Sequence, residues 1–128
     1  MTRKKSAATG PGAPDPKLID ELVLANHILA NEGVLDGYGH VSARHDKDPA
    51  RFLISQHRTP MAVKKDDIMV LDLDANAVDG GGGKLTAERF IHSEIYRTRP
   101  DVMAIVHSHS PGVIPFGITR QRLKPVWH

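Results

Sequence analysis

Two histidines close an apolar run in this chain, in the order Val102-Met103-Ala104-Ile105-Val106-His107-Ser108-His109. In an extended strand, side chains two residues apart face the same way, so His107 and His109 would present two imidazoles side by side. Neutral imidazoles can hold a divalent cation. They can equally end a strand by hydrogen-bonding a neighbouring loop, and the spacing alone leaves both readings open. There are 8 histidines and no cysteine, so any metal ligands must be His, Asp or Glu. Glu88 lies in the first turn of a predicted helix, where the helix dipole favours a carboxylate with or without a chemical role. His92 follows at i+4, on the same helical face. The segment Gly37-Tyr38-Gly39-His40-Val41-Ser42-Ala43-Arg44 is a glycine-bearing loop entering a strand. Such a loop lets backbone approach a ligand, with His40 or Ser42 donating to an anion, or is simply a tight turn before an edge strand. His57 and Arg58 sit in a polar loop, where they meet a ligand carboxylate or are only solvated.

The elements that must position these residues follow from periodicity and punctuation. Asp15-Pro16 supplies an N-cap and an N1 proline, Gly33 a stop, and Leu18, Ile19, Leu22, Val23, Ala25 and Leu29 recur at helical spacing between them. The first helix is therefore expected over about 16–32. Strands are predicted at 51–55 and 68–74. Thr86 is the expected N-cap of a second helix that Pro100 stops. The run before His107 reads as a strand covered on both faces. Residues 113–118 read as a short helix or loop, and 122–128 as the beginning of another strand. Gly80–Gly83 has no Gly-Lys-Ser/Thr after it, so it is a surface connection rather than a phosphate loop. Residues 1–14 are polar, basic and rich in Gly and Pro, and are expected to be a disordered tail before one domain over 15–128. With 40% hydrophobic and 25% charged residues and a net charge of +2, the 128-residue chain has an ordinary globular composition. It lacks the ~20-residue apolar run of a membrane span and a signal-peptide core, so a cytoplasmic protein with no membrane partner is expected. It also lacks a basic stripe with interleaved aromatics, so nucleic acid is not expected as a partner.

Taken together, "AERFIHSEIYRTRPDVMAIVHSHSP", "GYGHVSAR", "FLIS", "KKDDIMVLDLD" and "RLKPVWH" resemble, in order, the signature of the class II aldolase/adducin family, over residues 17–128. The resemblance implies a three-layer α/β/α fold with a central, largely antiparallel or mixed sheet, incomplete at its C-terminus. It implies a Zn²⁺ or Mn²⁺ ion held by three histidines, and active sites at the subunit interfaces of a homo-oligomer acting on a small molecule. His107 and His109 match the first two ligands, and Glu88 the catalytic or metal-binding carboxylate. The third histidine of such proteins lies beyond residue 128, so a truncated chain is expected. His128 resembles a substrate-side histidine.

Departures from the pattern narrow the chemistry. Sugar-phosphate aldolases and epimerases of the family carry Gly-Asn-x-Ser and Ser-Ser-Glu, whose donors cradle a phosphate. Here Gly39-His40-Val41-Ser42 and Thr86-Ala87-Glu88 stand instead. The chain is more similar to the branch that decarboxylates hydroxylated aromatic dicarboxylates. That resemblance implies Glu88 as proton carrier, with His40 or His128 next. Ser42, His57 and Arg58 are the remaining candidates for substrate binding. An aldolase or epimerase, and a non-catalytic adducin-like interaction module, are the alternatives.

Overall fold

The computed structural model describes residues 12–78 and 82–127. The first helix, α1 (Pro16–Asn31), forms where the punctuation placed it: the Asp15 carboxylate accepts from the Lys17 amide at 2.9 Å and Pro16 opens the first turn. Gly33, at φ +69°, turns the chain out of the helix, a conformation that suits glycine because it has no Cβ. His27 is satisfied within the fold, donating Nε2–H to the Val63 carbonyl at 2.8 Å.

Strands β1 (His40–Arg44), β2 (Arg51–Ser55) and β3 (Ile68–Asp72) follow, then α2 (Arg89–Thr98), β4 (Ala104–His107) and a short α3 (Ile114–Ile118). The strands form one antiparallel sheet in the order β3-β2-β1-β4. One face carries Val41, Ala43, Leu53 and Val70 against Leu22 and its neighbours on α1. The other carries Phe52, Ile54, Met69 and Leu71 against Tyr96 of α2. This is the expected α/β/α layering, and both inner faces bury the alternate residues of each strand.

Three expectations are corrected. The helix expected from Thr86 begins at Arg89, with Glu88 in the N-cap position. The Thr86 carbonyl instead accepts from the Arg89 side chain at 3.0 Å, holding residues 86–88 as a turn. Among the described residues, the strand before His107 is not covered on both faces. It lies at the sheet edge, with Ile105 packed towards α2 and Val106 46% exposed on the α1 side, where that helix does not reach. Residues 121–127 form no strand.

Of the expected tail, residues 1–11 lie outside the described residues. The next three run along the body, with the Ala13 carbonyl accepting from Lys47 Nζ at 2.6 Å.

Candidate active site

Sheet register brings the histidines together. His40 opens β1 directly opposite His107 at the end of β4, and their rings stack at 4.8 Å with 16° between planes. Gly39 makes this approach possible. A Cβ there would stand 2.7 Å from Leu35 Cδ2 and 3.1 Å from the His107 carbonyl oxygen. Two residues past the strand pairing, His109 folds back so that its Nε2 lies 3.1 Å from His107 Nε2. Glu88, delivered by the start of α2, points both oxygens at this corner: Oε1 is 3.4 Å from His107 Nε2 and Oε2 is 3.1 Å from His40 Nε2. The hydrogen bond from His40 holds the Glu88 carboxyl below its ordinary value, with the nearby His107 acting the same way against partial burial. It is a carboxylate at neutral pH.

The donor set fits a divalent cation. Two imidazole nitrogens bound to one zinc at about 2.0–2.1 Å and a tetrahedral angle stand roughly 3.3 Å apart, close to the 3.1 Å between His107 and His109. Asp36 completes the arrangement from behind, its carboxylate accepting from His109 Nδ1 at 3.1 Å. That bond holds the His109 proton on Nδ1 and leaves the Nε2 lone pair for a metal, as a carboxylate behind a ligating histidine does. Asp36 is itself fixed, accepting from the amides of Tyr38 at 3.0 Å and Gly39 at 2.8 Å. Its carboxyl is held low first by the His109 hydrogen bond and then by the Tyr38 amide.

Behind His40 the polar contacts continue inward. His40 Nδ1 is 2.7 Å from His92 Nε2, His92 Nδ1 is 2.6 Å from Ser42 Oγ, and Ser42 Oγ is 2.9 Å from Tyr96 Oη. His92 and Ser42 are fully buried. Burial pushes the His92 imidazolium down from 6.5 to about 3, with His40 and His107 adding repulsion. Burial likewise lowers His40, against the pull of Glu88.

A group whose folded value is depressed gives full stability above its unfolded value, and that stability is lost as pH falls towards the folded one. For His92 the window is 6.5 to about 3. In the presence of a chelator, urea unfolding is expected to show stability falling by about 2 kcal/mol between pH 6.5 and 5 from His92 alone. His40 acts in the same direction. His92→Gln flattens that slope, whereas a wild-type profile flat from pH 7 to 5 contradicts the assignment.

The corner opens into a cleft of about 320 Å³ whose walls include Tyr38, His40, His57, Arg58, Glu88 and His109. Of the residues singled out in the sequence, His40, Glu88, His107 and His109 come together, and His57 and Arg58 line the same cleft. Arg58 is anchored through Nε to Asp67 Oδ1 at 3.0 Å. Burial raises the Asp67 carboxyl, but hydrogen bonds from Gln56 and the Lys64 amide outweigh it and hold it low. Ser42 is placed differently from the substrate contact expected of it. It is enclosed between His92 and Tyr96 because β1 turns that side chain under α2. His128 lies outside the described residues. Asp36, Tyr96 and Arg44 were not singled out. The signal for Asp36 was its place immediately before the Gly37-Tyr38-Gly39 turn.

The chain matches the model of the class II aldolase and adducin N-terminal domain over residues 20–128, and it belongs to that family. It is similar to decarboxylase tropJ of Talaromyces stipitatus, 38% identical over 80% of this chain and 39% of that protein. It is also similar to the 3,4-dihydroxyphthalate decarboxylase of Arthrobacter keyseri, 33% identical over 84% of this chain and 46% of that one. Among solved structures, L-fuculose 1-phosphate aldolase from Glaciozyma antarctica superposes with a TM-score of 0.69 at 30% identity, over 78% of this chain and 43% of its own. The chain thus spans less than half the length of these relatives. Both catalysed reaction types, decarboxylation and aldol cleavage, break a carbon–carbon bond.

Proposed function

We propose that these residues belong to a divalent-metal-dependent lyase that decarboxylates a hydroxylated aromatic carboxylic acid. The observation that carries the reading is the convergence of His107 and His109 Nε2 at 3.1 Å, backed by Asp36 and faced by an ionised Glu88, at the wall of a substrate-sized cleft. His107 and His109 would hold Zn²⁺ or Mn²⁺, together with the third histidine that the family resemblance implies. A bound cation supplies Lewis acidity to a chelated carboxylate and hydroxyl, drawing off charge as CO₂ leaves. Glu88, starting as a carboxylate, takes the proton of the substrate hydroxyl and returns it to the ring carbon that bears the carboxylate. The carbon–carbon bond then breaks, CO₂ departs, and its electron pair restores the aromatic ring. A depressed Glu88 suits this order, since the group must be empty when substrate arrives. His57 and Arg58 face the far end of the substrate.

The aldolase reading shares the same corner, and the likeness to the fuculose phosphate aldolase favours it. Against it, Ala87 brings no hydroxyl to a phosphate. Release of CO₂ from dihydroxyphthalate by the full-length protein supports the decarboxylase, and cleavage of fuculose 1-phosphate without CO₂ release replaces it with the aldolase. Neither reaction in metal-loaded protein leaves an adducin-like interaction module. Glu88→Gln is expected to retain the metal and lower turnover by roughly 10²–10⁴-fold, and near-normal turnover removes Glu88 from the chemistry.

The protein is expected to work as a cytoplasmic homo-oligomer with active sites at its interfaces. Exposed apolar side chains on β4 and α3, among them Val106, Phe116 and Ile118, support the association. No helix among the described residues is long and apolar enough to cross a membrane.

A further inference from the structure

Tyr96, on α2, is the inner end of a hydrogen-bonded chain that decides what His40 can do at the site. Tyr96 is 1% exposed, and a buried hydroxyl proton needs an acceptor. Among the described residues the partner of Tyr96 Oη is Ser42 Oγ, at 2.9 Å. If Tyr96 donates to Ser42, the proton of Ser42 must go to its other partner, His92 Nδ1, at 2.6 Å. His92, fully buried, is uncharged there, so its one proton sits on Nε2 and is donated to His40 Nδ1 across 2.7 Å. His40 then carries its own proton on Nε2, which points at Glu88 Oε2 from 3.1 Å. Each bond runs outward from the core to the carboxylate, and every proton in the chain has an acceptor.

We propose that Ser42 and His92 are positioning residues that lock His40 as the Nε2–H tautomer, making His40 a hydrogen-bond donor to Glu88 and not a metal ligand. This rests on the reading that His107 and His109 hold the cation. Position alone would not separate the roles. Ligand atoms of His40, Glu88 and His107 lie within 4.8 Å of one another and make a plausible three-residue metal cluster. The chain excludes His40 from it. A lone pair on His40 Nε2 requires the proton on Nδ1, which turns His92 into a donor to Ser42 Oγ and leaves one buried hydroxyl proton, that of Ser42 or of Tyr96, with no acceptor among the described residues. One such orphaned donor disfavours the reversed arrangement by about tenfold or more. The cluster therefore divides into a ligand pair, His107 and His109, and a donor–carboxylate pair, His40 and Glu88. The donor keeps the carboxylate charged and aimed at the cleft.

The test is ring-¹⁵N nuclear magnetic resonance of histidine-labelled full-length protein, with and without Zn²⁺. His40 Nε2 is expected to be protonated in both states, while the Nε2 signals of His107 and His109 move when zinc is added. A His40 Nε2 that becomes a zinc-bound nitrogen overturns the proposal. Failure of His107 and His109 to respond overturns the metal reading instead, and the zinc-free spectrum still reports the His40 tautomer. Ser42→Ala removes the hydroxyl that enforces the direction, because His92 Nδ1 then has neither donor nor acceptor beside it. In that variant His40 is expected to populate both tautomers, with kcat down about twofold and KM unchanged. Ser42→Thr, which keeps the hydroxyl, and Tyr96→Phe, where the Ser42 proton still needs His92 Nδ1, are expected to retain the single tautomer. A single Nε2–H tautomer surviving in Ser42→Ala also overturns the proposal. Should that variant fail to fold, the wild-type spectra decide alone.

Discussion

Full-length protein carrying His107→Ala will not retain stoichiometric zinc or manganese, and its turnover will fall with its metal. Two imidazoles at 3.1 Å would form half of a four-coordinate shell, and removing one would leave His109 alone on that side of the ion. The loss should exceed the roughly 10–100-fold that deletion of a partner behind a ligand costs. That figure applies to Asp36→Asn, which cannot hold the His109 proton as a carboxylate does across 3.1 Å. A graded series is expected under competition with a chromophoric chelator: wild type binds tightest, Asp36→Asn weaker, and His107→Ala and His109→Ala weakest. Tight, stoichiometric metal in His107→Ala would remove these residues from the metal site. An Asp36 variant weaker than the ligand variants would mean that Asp36 itself coordinates the ion.

What local pattern could reveal here was set by short-range rules. The limits of α1 follow from Asp15, Pro16 and Gly33, and the two-residue period of a strand predicted that His107 and His109 would look the same way. Contacts across layers were a different matter. On β1 the order His40-Val41-Ser42-Ala43-Arg44 alternates polar with apolar, which ordinarily marks one wet face. All five are buried, because α2 covers the polar side with polar groups of its own, His92, Ser93 and Tyr96. Ser42 and His92 are 50 residues apart, and no periodicity within either element signals that they will meet. The resemblance to a family pointed to His107 and His109, but it could not show Ser42 withdrawn from the cleft. Nor could it show Asp36 behind His109, since an acid before a Gly-Tyr-Gly turn reads locally as a turn residue. The N-cap of α2 was misplaced by two residues for a similar reason. Thr86 is a good cap by type, but the Arg89 side chain claims its carbonyl.

Arg44→Met is expected to destabilise the fold by about 3–5 kcal/mol, since it leaves several buried carbonyls without a donor at about 1–3 kcal/mol each. Arg44 is 5% exposed. Its guanidinium donates to four backbone carbonyls: Val102 at 2.9 Å through Nε, Pro49 at 2.5 Å through Nη1, and Tyr96 at 3.0 Å and Arg99 at 2.9 Å through Nη2. It also lies over the Tyr96 ring, 4.7 Å from its centroid. The Tyr96 carbonyl belongs to the last turn of α2, where a helix has acceptors without intrahelical partners and where its dipole favours a cation. One planar side chain therefore ties the end of α2, the turn at Arg99–Val102 and the loop after β1 to the strand that carries His40. Methionine fills much of the volume but leaves four acceptors facing no donor. Lysine restores the charge with three donors at a single point, which cannot span a fork of this width. Urea unfolding at neutral pH should rank wild type above Arg44→Lys and Arg44→Met lowest, with an unchanged denaturant slope. Because Val102 leads directly into β4, the same variants should also bind zinc more weakly, although Arg44 touches none of the proposed ligands. An Arg44→Met protein within 1 kcal/mol of wild type would mean that the four carbonyls find water or other donors, and that β4 is held in place by its pairing with β1.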